Sequence, residues 1–348
     1  MEKGIYNGFY QYLIGYFEKE HLPERAFEPS ELLAKRARAF QAFNLKGLPS
    51  NRYEDWKYTN LNRLLKDDFK FQPTGEVPGY DVPQIPNLEA CKIVLLNGRL
   101  VPEFSEPLPE GVRFFDSQSA IAQPEYVKKL GSLAVNEDNP ILDLNTAFFK
   151  DFAVLHVTAK KLIDKPIHII HHFTGNTSPA FVAYRMLVLA ENLSETTVIE
   201  TFHSNNEHPL LISYISEQEV GESAVLHSHL VNGLDEQVFL LHHREVDQHR
   251  NSVVNNMNVS LGEASLVRNE LNFRLKGSGT QTNLWGSYVT SGRQHVDNHT
   301  VVDHQQPHCN SSELYKGIMT DRSHAVFNGK VIVRPDAQKT NAFQQNNN

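Results

Sequence analysis

The sequence of 348 residues lacks the features that define several protein classes. Its two cysteines, Cys91 and Cys309, lie far apart, and the amino terminus has neither the basic region nor the apolar stretch of a secretory signal. No apolar run approaches the roughly 18 residues of a transmembrane helix. Acidic residues outnumber basic ones, 41 to 33, and no basic patch stands out. We therefore expect a reducing, cytoplasmic location and neither nucleic acid nor membrane as a partner.

Motifs of nucleotide hydrolysis and acyl transfer are absent as well. The chain has no G-x-x-x-x-G-K-[ST] loop and no G-x-S-x-G elbow, and the glycines of "KGSGTQTN" are not followed by a lysine. A thiol nucleophile at Cys309 would need a third group to orient a neighbouring histidine, and the sequence supplies none. These absences argue against nucleotide hydrolysis and leave thiol catalysis without support.

The first 70 residues are predicted to be helical. Apolar residues recur there at every third or fourth position, which places them on one face of a helix. We predict an N-terminal helical region, residues 1–70, in which residues 5–43 form a small lobe packed apart from the rest. The apolar stripes are Ile5, Phe9, Leu13 and Phe17 in the first helix, and Leu33, Ala37 and Phe40 in the second.

Residues 71–150 hold 9 of the 17 prolines. Proline removes a backbone donor and fixes φ, so long helices and central strands are disfavoured. We interpret this part as a winding connector. It contains one predicted hairpin, "KIVLLNGRLV", in which Asn97 and Gly98 supply the positive φ angles of a tight turn.

Beyond residue 150 the chain consists of short, β-branched runs of four to nine residues. Similar short pieces recur at loose spacings of 27, 28 and 13 residues, beginning at Thr197, Ala224, Ser252 and Ser265. Such recurrence favours a β-solenoid over a sandwich, since a solenoid stacks similar coils. We therefore predict a mainly β fold with a solenoid core over residues 151–348. Asparagine pairs such as Asn255-Asn256 are candidates for coil corners, with polar loops as the alternative.

Histidine is the conspicuous residue type, because 16 of the 17 histidines follow residue 150. His227 and His229 would share one face of a strand, and this spacing resembles the start of a cupin metal site. The glutamate and the later histidine of such a site are not clear in the sequence. A histidine-rich, cupin-like metalloenzyme is therefore the alternative to a scaffold protein, and it would require a compact barrel.

A denser group lies in "HVDNHTVVDHQQPHCNS", which begins at His295. Histidine and cysteine suit iron, zinc or copper, but the adjacent His308 and Cys309 would point to opposite faces of a strand. No Cys-x-x-Cys pair supports a structural zinc site. The weak candidates for metal ligands are His299, His304, His308 and Cys309. Because they lack a convergent arrangement, we expect the purified chain to hold no stoichiometric metal.

The carboxyl-terminal part resembles a known family. Its elements follow in one order: "DNHT" at Asp297, "HCNS" at His308, "KGI" at Lys316, "AVFNG" at Ala325, and "AQKTNAFQQNNN" at Ala337. This is similar to the signature region of the SufB/SufD family of iron–sulfur cluster assembly proteins. The element "WKYT" from Trp56 to Thr59 resembles the SufD branch of that family, and the likeness extends from about residue 50 to the end of the chain.

The resemblance implies a right-handed parallel β-helix that is truncated at its carboxyl-terminal end. It also implies a scaffold without catalytic activity of its own, which pairs with a SufB-like subunit and a SufC-like ATPase. The ATPase docking region and the residues usually implicated in cluster assembly would lie beyond this sequence, so no cluster ligand is assigned. We expect no cofactor on this chain, an iron–sulfur cluster on the full assembly, and possible homodimers.

Overall fold

A computed structural model describes residues 4–61, 65–71, 82–135, 138–174 and 176–347. The helices lie in the amino-terminal part, where a π-helical turn, Phe17–His21, follows the first of them. Short 3-10 turns cover Glu54–Trp56 and Pro102–Phe104. The described α-helices are α1 (Gly8–Tyr16), α2 (Leu22–Glu24), α3 (Ser30–Lys46), α4 (Ser117–Ile121), α5 (Pro124–Lys129) and α6 (Pro140–Phe148).

Strands make up most of the remaining structure. Before residue 150 they are short: β1 (Gly4–Ile5), β2 (Leu48–Pro49), β3 (Lys70–Phe71), β4 (Cys91–Leu96), β5 (Arg99–Leu100) and β6 (Val112–Phe115). A regular series then runs to the end: β7 (Asp151–Val157), β8 (Ile167–Thr174), β9 (Ala180–Ala190), β10 (Glu195–Asn205), β11 (Leu210–Val220), β12 (Val225–Gly233), β13 (Val238–Gln248), β14 (Val253–Ser260), β15 (Leu266–Leu275), β16 (Gln281–Thr290), β17 (His295–His304), β18 (Asn310–Met319), β19 (His324–Val333) and β20 (Asn341–Asn347).

Strands β7 to β20 form a parallel β-solenoid, which confirms the predicted fold class. The chain passes alternately through two sheets: sheet I holds the odd-numbered strands β7 to β19, and sheet II holds the even-numbered strands β8 to β20. Each residue lies beside its counterpart 27 to 33 positions further on. One interior column in sheet I consists of Tyr184, Tyr214, His242, Asn269 and Asn298.

Alternation of side chains between the two faces of each strand explains the burial pattern. In β14 every second residue is buried in the solenoid interior, because the outer face of sheet II is open to solvent. In β9, by contrast, all eleven residues are buried, since both of its faces are covered. Sheet I must therefore be covered from outside in its first coils.

The N-terminal helices supply that cover, so the prediction of a separate helical lobe over residues 5–43 is wrong. Phe9 of α1 contacts Phe181 of β9 with ring centroids 5.2 Å apart, and Phe69 contacts Phe239 of β13 at 6.0 Å. Burying such rings stabilises the fold by about 1.5–3 kcal/mol each. The apolar stripe of α1 thus packs on the apolar outer face of sheet I, and the two form one continuous core.

The proline-rich part contributes to the solenoid as well. The predicted hairpin is confirmed: β4 and β5 pair antiparallel around Asn97 and Gly98, both of which have positive φ. Strand β4 also pairs in parallel with β8, so it extends sheet II by one strand. The corner prediction for Asn255 and Asn256 is wrong, because both lie inside β14. Among the described residues, no helix is long and apolar enough to cross a membrane.

Candidate functional site

A cluster of polar side chains that includes part of the histidine-rich segment beginning at His295 lies on the outer face of sheet I. Alternation along β17 brings His295, Asp297 and His299 to this outer face, where they meet side chains from three other parts of the chain. We call this group the β17 cluster. Its members are Thr59, Arg268, His295, Asp297, His299 and His324.

Asp297 is the centre of the β17 cluster. Its carboxylate accepts hydrogen bonds from the Thr59 hydroxyl and the Arg268 guanidinium, and His299 Nε2 lies 2.9 Å from Oδ1. Burial by itself would raise the pKa of Asp297, but the Arg268 charge and the donors from His299 and Thr59 outweigh it and lower the pKa to about 2. Asp297 is therefore a fixed negative charge under the protein surface.

The N-terminal region is tied to the solenoid at this point. The Trp56 ring lies 3.9 Å from the guanidinium carbon of Arg268, in a stacked cation–π contact, and Thr59 reaches Asp297 across 238 residues of chain. Trp56 is 3% exposed and Thr59 is fully buried. Residues 56–59 thus form a clamp that joins the N-terminal region to β15 and β17.

His295 connects the clamp to the next coil. Its Nε2 lies 2.8 Å from Thr59 Oγ1, and its Nδ1 lies 3.2 Å from Nδ1 of the exposed His324 on β19. The two imidazole rings are stacked at 22° with centroids 4.8 Å apart. Burial lowers the pKa of His295 to about 4, although the Asp297 charge opposes this, so the ring is neutral at pH 7.

A second polar group lies further along the outer face of sheet I. His243 Nε2 lies 2.7 Å from Glu245 Oε1, and His243 Nδ1 lies 3.6 Å from Glu270 Oε1. Burial would lower the pKa of His243, yet the two carboxylates raise it to about 9. Asn139 donates to Glu270 at 2.9 Å and so brings the loop before α6 onto this group.

The four predicted metal-ligand candidates lie in different environments. His299 belongs to the β17 cluster on the outer face, whereas His304 points inward, with Nε2 2.9 Å from Ser311 Oγ. His308 is an exposed turn residue with φ of 62°. The buried Cys309 thiol faces backbone carbonyl oxygens, including that of Gln306 at 3.2 Å. In the described ranges, no group of three or more His, Cys, Asp or Glu side chains is arranged to hold a metal ion.

The histidines that suggested a cupin site lie on the open face of sheet II. His227 Nδ1 is 3.2 Å from Asn255 Nδ2, and the His227 and His229 ring centroids are 6.3 Å apart. Their strand β12 is one of a long series of stacked coils and does not belong to a compact barrel. The cupin alternative is therefore not favoured.

Sequence reasoning missed most residues of these outer-face groups, including Thr59, Arg268 and His243. Thr59, Arg268 and His243 are far from one another in sequence, and no local pattern marks their contacts. The element "WKYT" was noticed only as a family feature, but its first and last residues make the clamp. Three members of the β17 cluster, His295, Asp297 and His299, lie in the histidine-dense segment, but the density does not indicate their partners.

Comparisons with known proteins agree with this architecture. Residues 172–348 match the model described as SUF system FeS cluster assembly, SufBD core domain, and residues 9–169 match the SufBD protein N-terminal region. An iron–sulfur cluster assembly SufBD family protein of Synechocystis is 29% identical over 345 residues, covering 95% of this chain and 76% of the relative. The iron–sulfur cluster assembly protein SufD of Escherichia coli is 26% identical over 315 residues, covering 87% and 70%.

Proposed function

Because the chain belongs to the SufBD family of iron–sulfur cluster assembly proteins, we propose that it is a SufD-type scaffold subunit. It pairs with a SufB-like subunit in an assembly that also contains a SufC-like ATPase, and it supports cluster assembly and iron acquisition in the cytoplasm. The cluster forms on the complete assembly and not on this chain alone. The chain contributes binding surfaces and carries no catalytic activity of its own.

The observation that carries this proposal is an apolar stripe on the open outer face of sheet II. Trp285 and Val289 of β16 and Leu314 and Ile318 of β18 all point outward there, and Val289 lies directly beside Ile318. Trp285 is 40% exposed and Ile318 is 62% exposed. We call these four residues the Trp285 stripe. Two pairs of neighbouring apolar side chains on an open sheet face, separated only by Ser287 and Lys316, favour a protein contact site there.

Ile318 is also one of the residues that carry the family resemblance, in the element "KGI". Packing inside the solenoid does not account for it, because its side chain points to solvent. A contact with another subunit does account for an apolar residue at this position, since association removes the side chain from water. The Trp285 stripe is thus the surface on which the proposed pairing rests.

Co-purification tests the proposal. The tagged chain is co-expressed with a SufB-like subunit and a SufC-like ATPase, and the proteins retained with the tag are identified. We expect the wild-type chain to retain the SufB-like subunit and Ile318→Glu to retain at least about tenfold less, which corresponds to about 1.4 kcal/mol.

The matched control is Ser312→Glu, which adds the same charge to an exposed residue of β18 outside the stripe. It should retain the partner as the wild-type chain does. A wild-type chain that retains no SufB-like subunit contradicts the proposed function. Equal retention by Ile318→Glu and wild type would show that pairing uses another surface.

A further inference from the structure

The geometry points to a two-histidine site for a divalent transition-metal ion between His295 and His324. The site lies where the clamp meets the solenoid, and the inference does not depend on the proposed partners. It rests on the hydrogen-bond chain that runs from Asp297 through Thr59 to His295, and on the position of His324 at the end of that chain.

The hydrogen-bond chain determines which nitrogen of His295 carries the proton. The Thr59 hydroxyl has a single hydrogen, and it donates this hydrogen to the Asp297 carboxylate. The 2.8 Å contact between Thr59 Oγ1 and His295 Nε2 then requires Nε2 to be the donor. A neutral imidazole protonated at Nε2 has a bare lone pair at Nδ1. His295 Nδ1 is therefore an acceptor that faces His324.

His324 presents its own Nδ1 at 3.2 Å from His295 Nδ1. Two imidazole nitrogens bound to one metal at 2.0–2.1 Å lie about 2.8–3.4 Å apart for octahedral to tetrahedral angles. The observed separation fits a shared metal ion, and the exposed His324 ring turns out of its stacked orientation to direct the Nδ1 lone pair at it. Without metal, a hydrogen on His324 Nδ1 bridges the pair. A neutral His324 that binds metal shifts this hydrogen to Nε2, so the proton balance of the step is zero.

The second reason for the assignment is the hydrogen bond that holds the other ring nitrogen of His295 in place. Metal-bound histidines usually donate their other ring N–H to a carboxylate or to an oxygen that is itself held in place. His295 has this arrangement, because Thr59 Oγ1 accepts from Nε2 and is oriented by Asp297. Arg268, which bonds Asp297, is in turn held against Trp56. The His295 ring is thus oriented before any ion binds.

The imidazole ligands and the exposed position of His324 determine which ions the site binds and how readily they exchange. Imidazole nitrogen suits borderline ions such as Fe²⁺, Zn²⁺, Co²⁺ and Ni²⁺, and it does not suit Mg²⁺ or Ca²⁺. Two protein ligands leave the remaining coordination positions to water or to a donor on another molecule. Such a site exchanges its ion readily, because only two protein side chains hold it.

Calorimetric titration of the chelator-treated chain with Zn²⁺ tests the inference. We expect one Zn²⁺ per chain at this site, no binding of Mg²⁺, and a loss of at least about tenfold in Zn²⁺ affinity for His324→Ala. Thr59→Val keeps both ligands but removes the hydrogen-bond acceptor that orients His295, and losing such a partner of a metal ligand costs about 10–100-fold in affinity. Circular dichroism melting of each variant checks that the fold is kept.

His308→Asn is the matched control, because it removes another exposed histidine and asparagine tolerates the positive φ of that turn. It should bind Zn²⁺ as the wild-type chain does. Equal affinity for wild type and His324→Ala, or no Zn²⁺ binding by the wild-type chain, overturns the site. Undiminished affinity of Thr59→Val overturns the role given to the hydrogen-bond chain.

Discussion

The ring of Tyr315 occupies the space that a side chain on Gly286 would need. The two residues are direct neighbours in β16 and β18, and a Cβ atom on Gly286 would lie 1.9 Å from Tyr315 Cε1. The same relation holds two pairs further along, where a Cβ on Gly317 would lie 2.2 Å from Tyr288 Cε2. Glycine in one coil thus makes room for a tyrosine ring of a neighbouring coil inside the solenoid.

Gly286→Ala is expected to destabilise the protein by about 1–3 kcal/mol, the usual cost of overpacking a filled core. Urea denaturation measures the change. Gly15→Ala is the control, because Gly15 is an exposed helical residue with no atom within 4 Å of the new Cβ. That variant should be stabilised by about 0.5–1 kcal/mol. Equal effects of the two substitutions would contradict the packing described for Tyr315.

Thr59→Val is expected to loosen the clamp. It leaves the His295 Nε2–H without its acceptor and removes one donor from Asp297, and each lost buried bond costs about 1–3 kcal/mol. Limited proteolysis should cleave the N-terminal region faster in this variant. Thr340→Val removes only a local bond to the Ala337 carbonyl and should leave the proteolysis rate unchanged. Unchanged cleavage of Thr59→Val would show that the clamp does not hold this region.

His243 should make stability depend on pH in the alkaline range. Its folded pKa of about 9 exceeds the unfolded value of 6.5, so the native state binds the extra proton. The stabilisation from its contacts with Glu245 and Glu270 is fully present below pH 6.5 and is lost as the pH rises through 9. The difference in unfolding free energy between wild type and His243→Gln should therefore shrink from pH 6.5 to pH 9.5.

His242 provides the matched control for that measurement. It is the sequence neighbour of His243 but points into the solenoid, where burial and Arg244 lower its pKa to about 3. It is neutral in the folded and unfolded states above pH 7.5, so the difference between wild type and His242→Gln should stay flat up to pH 9.5. A flat profile for His243→Gln as well would contradict the protonated state of His243.

Glu313 should also make the protein less stable as the pH rises, but over a lower pH range than His243. Burial raises its pKa from 4.5 to about 7, although the nearby Thr300 hydroxyl opposes this. Its folded pKa lies above the unfolded value, so unfolding releases a proton and stability falls as the pH rises from 4.5 through 7. Glu313→Gln should thus gain stability relative to wild type between pH 5 and pH 8.5 in urea denaturation. An equal difference in unfolding free energy between Glu313→Gln and wild type at pH 5 and pH 8.5 would contradict the raised pKa of Glu313.

Local patterns predicted local structure well. Asn97 and Gly98 marked the hairpin, and the pieces beginning at Ala224 and Ser252 are true counterparts in the solenoid, since Val225 pairs with Val253. The piece beginning at Ser265 belongs to the other sheet, which explains why its spacing of 13 residues did not fit. Recurrence identified the coils but could not assign each piece to a sheet.

The sequence patterns do not predict the contacts between distant parts of the chain. Periodicity showed that Phe9 faces a core, but it did not show that this core is the outer face of β9. The pairing of Thr59 with Asp297 depends on how many coils separate them, which no local signal encodes. The environment of each histidine in the histidine-rich segment depends on whether its position faces inward or outward.

The central claim is that this chain works as a scaffold in a complex with other subunits. Native mass spectrometry of the complex, purified through a tag on this chain after co-expression with a SufB-like subunit and a SufC-like ATPase, tests it most directly. The account predicts a dominant mass that contains one copy of this chain with one SufB-like subunit. A spectrum that shows only the free chain, or only copies of this chain bound to each other, would contradict it.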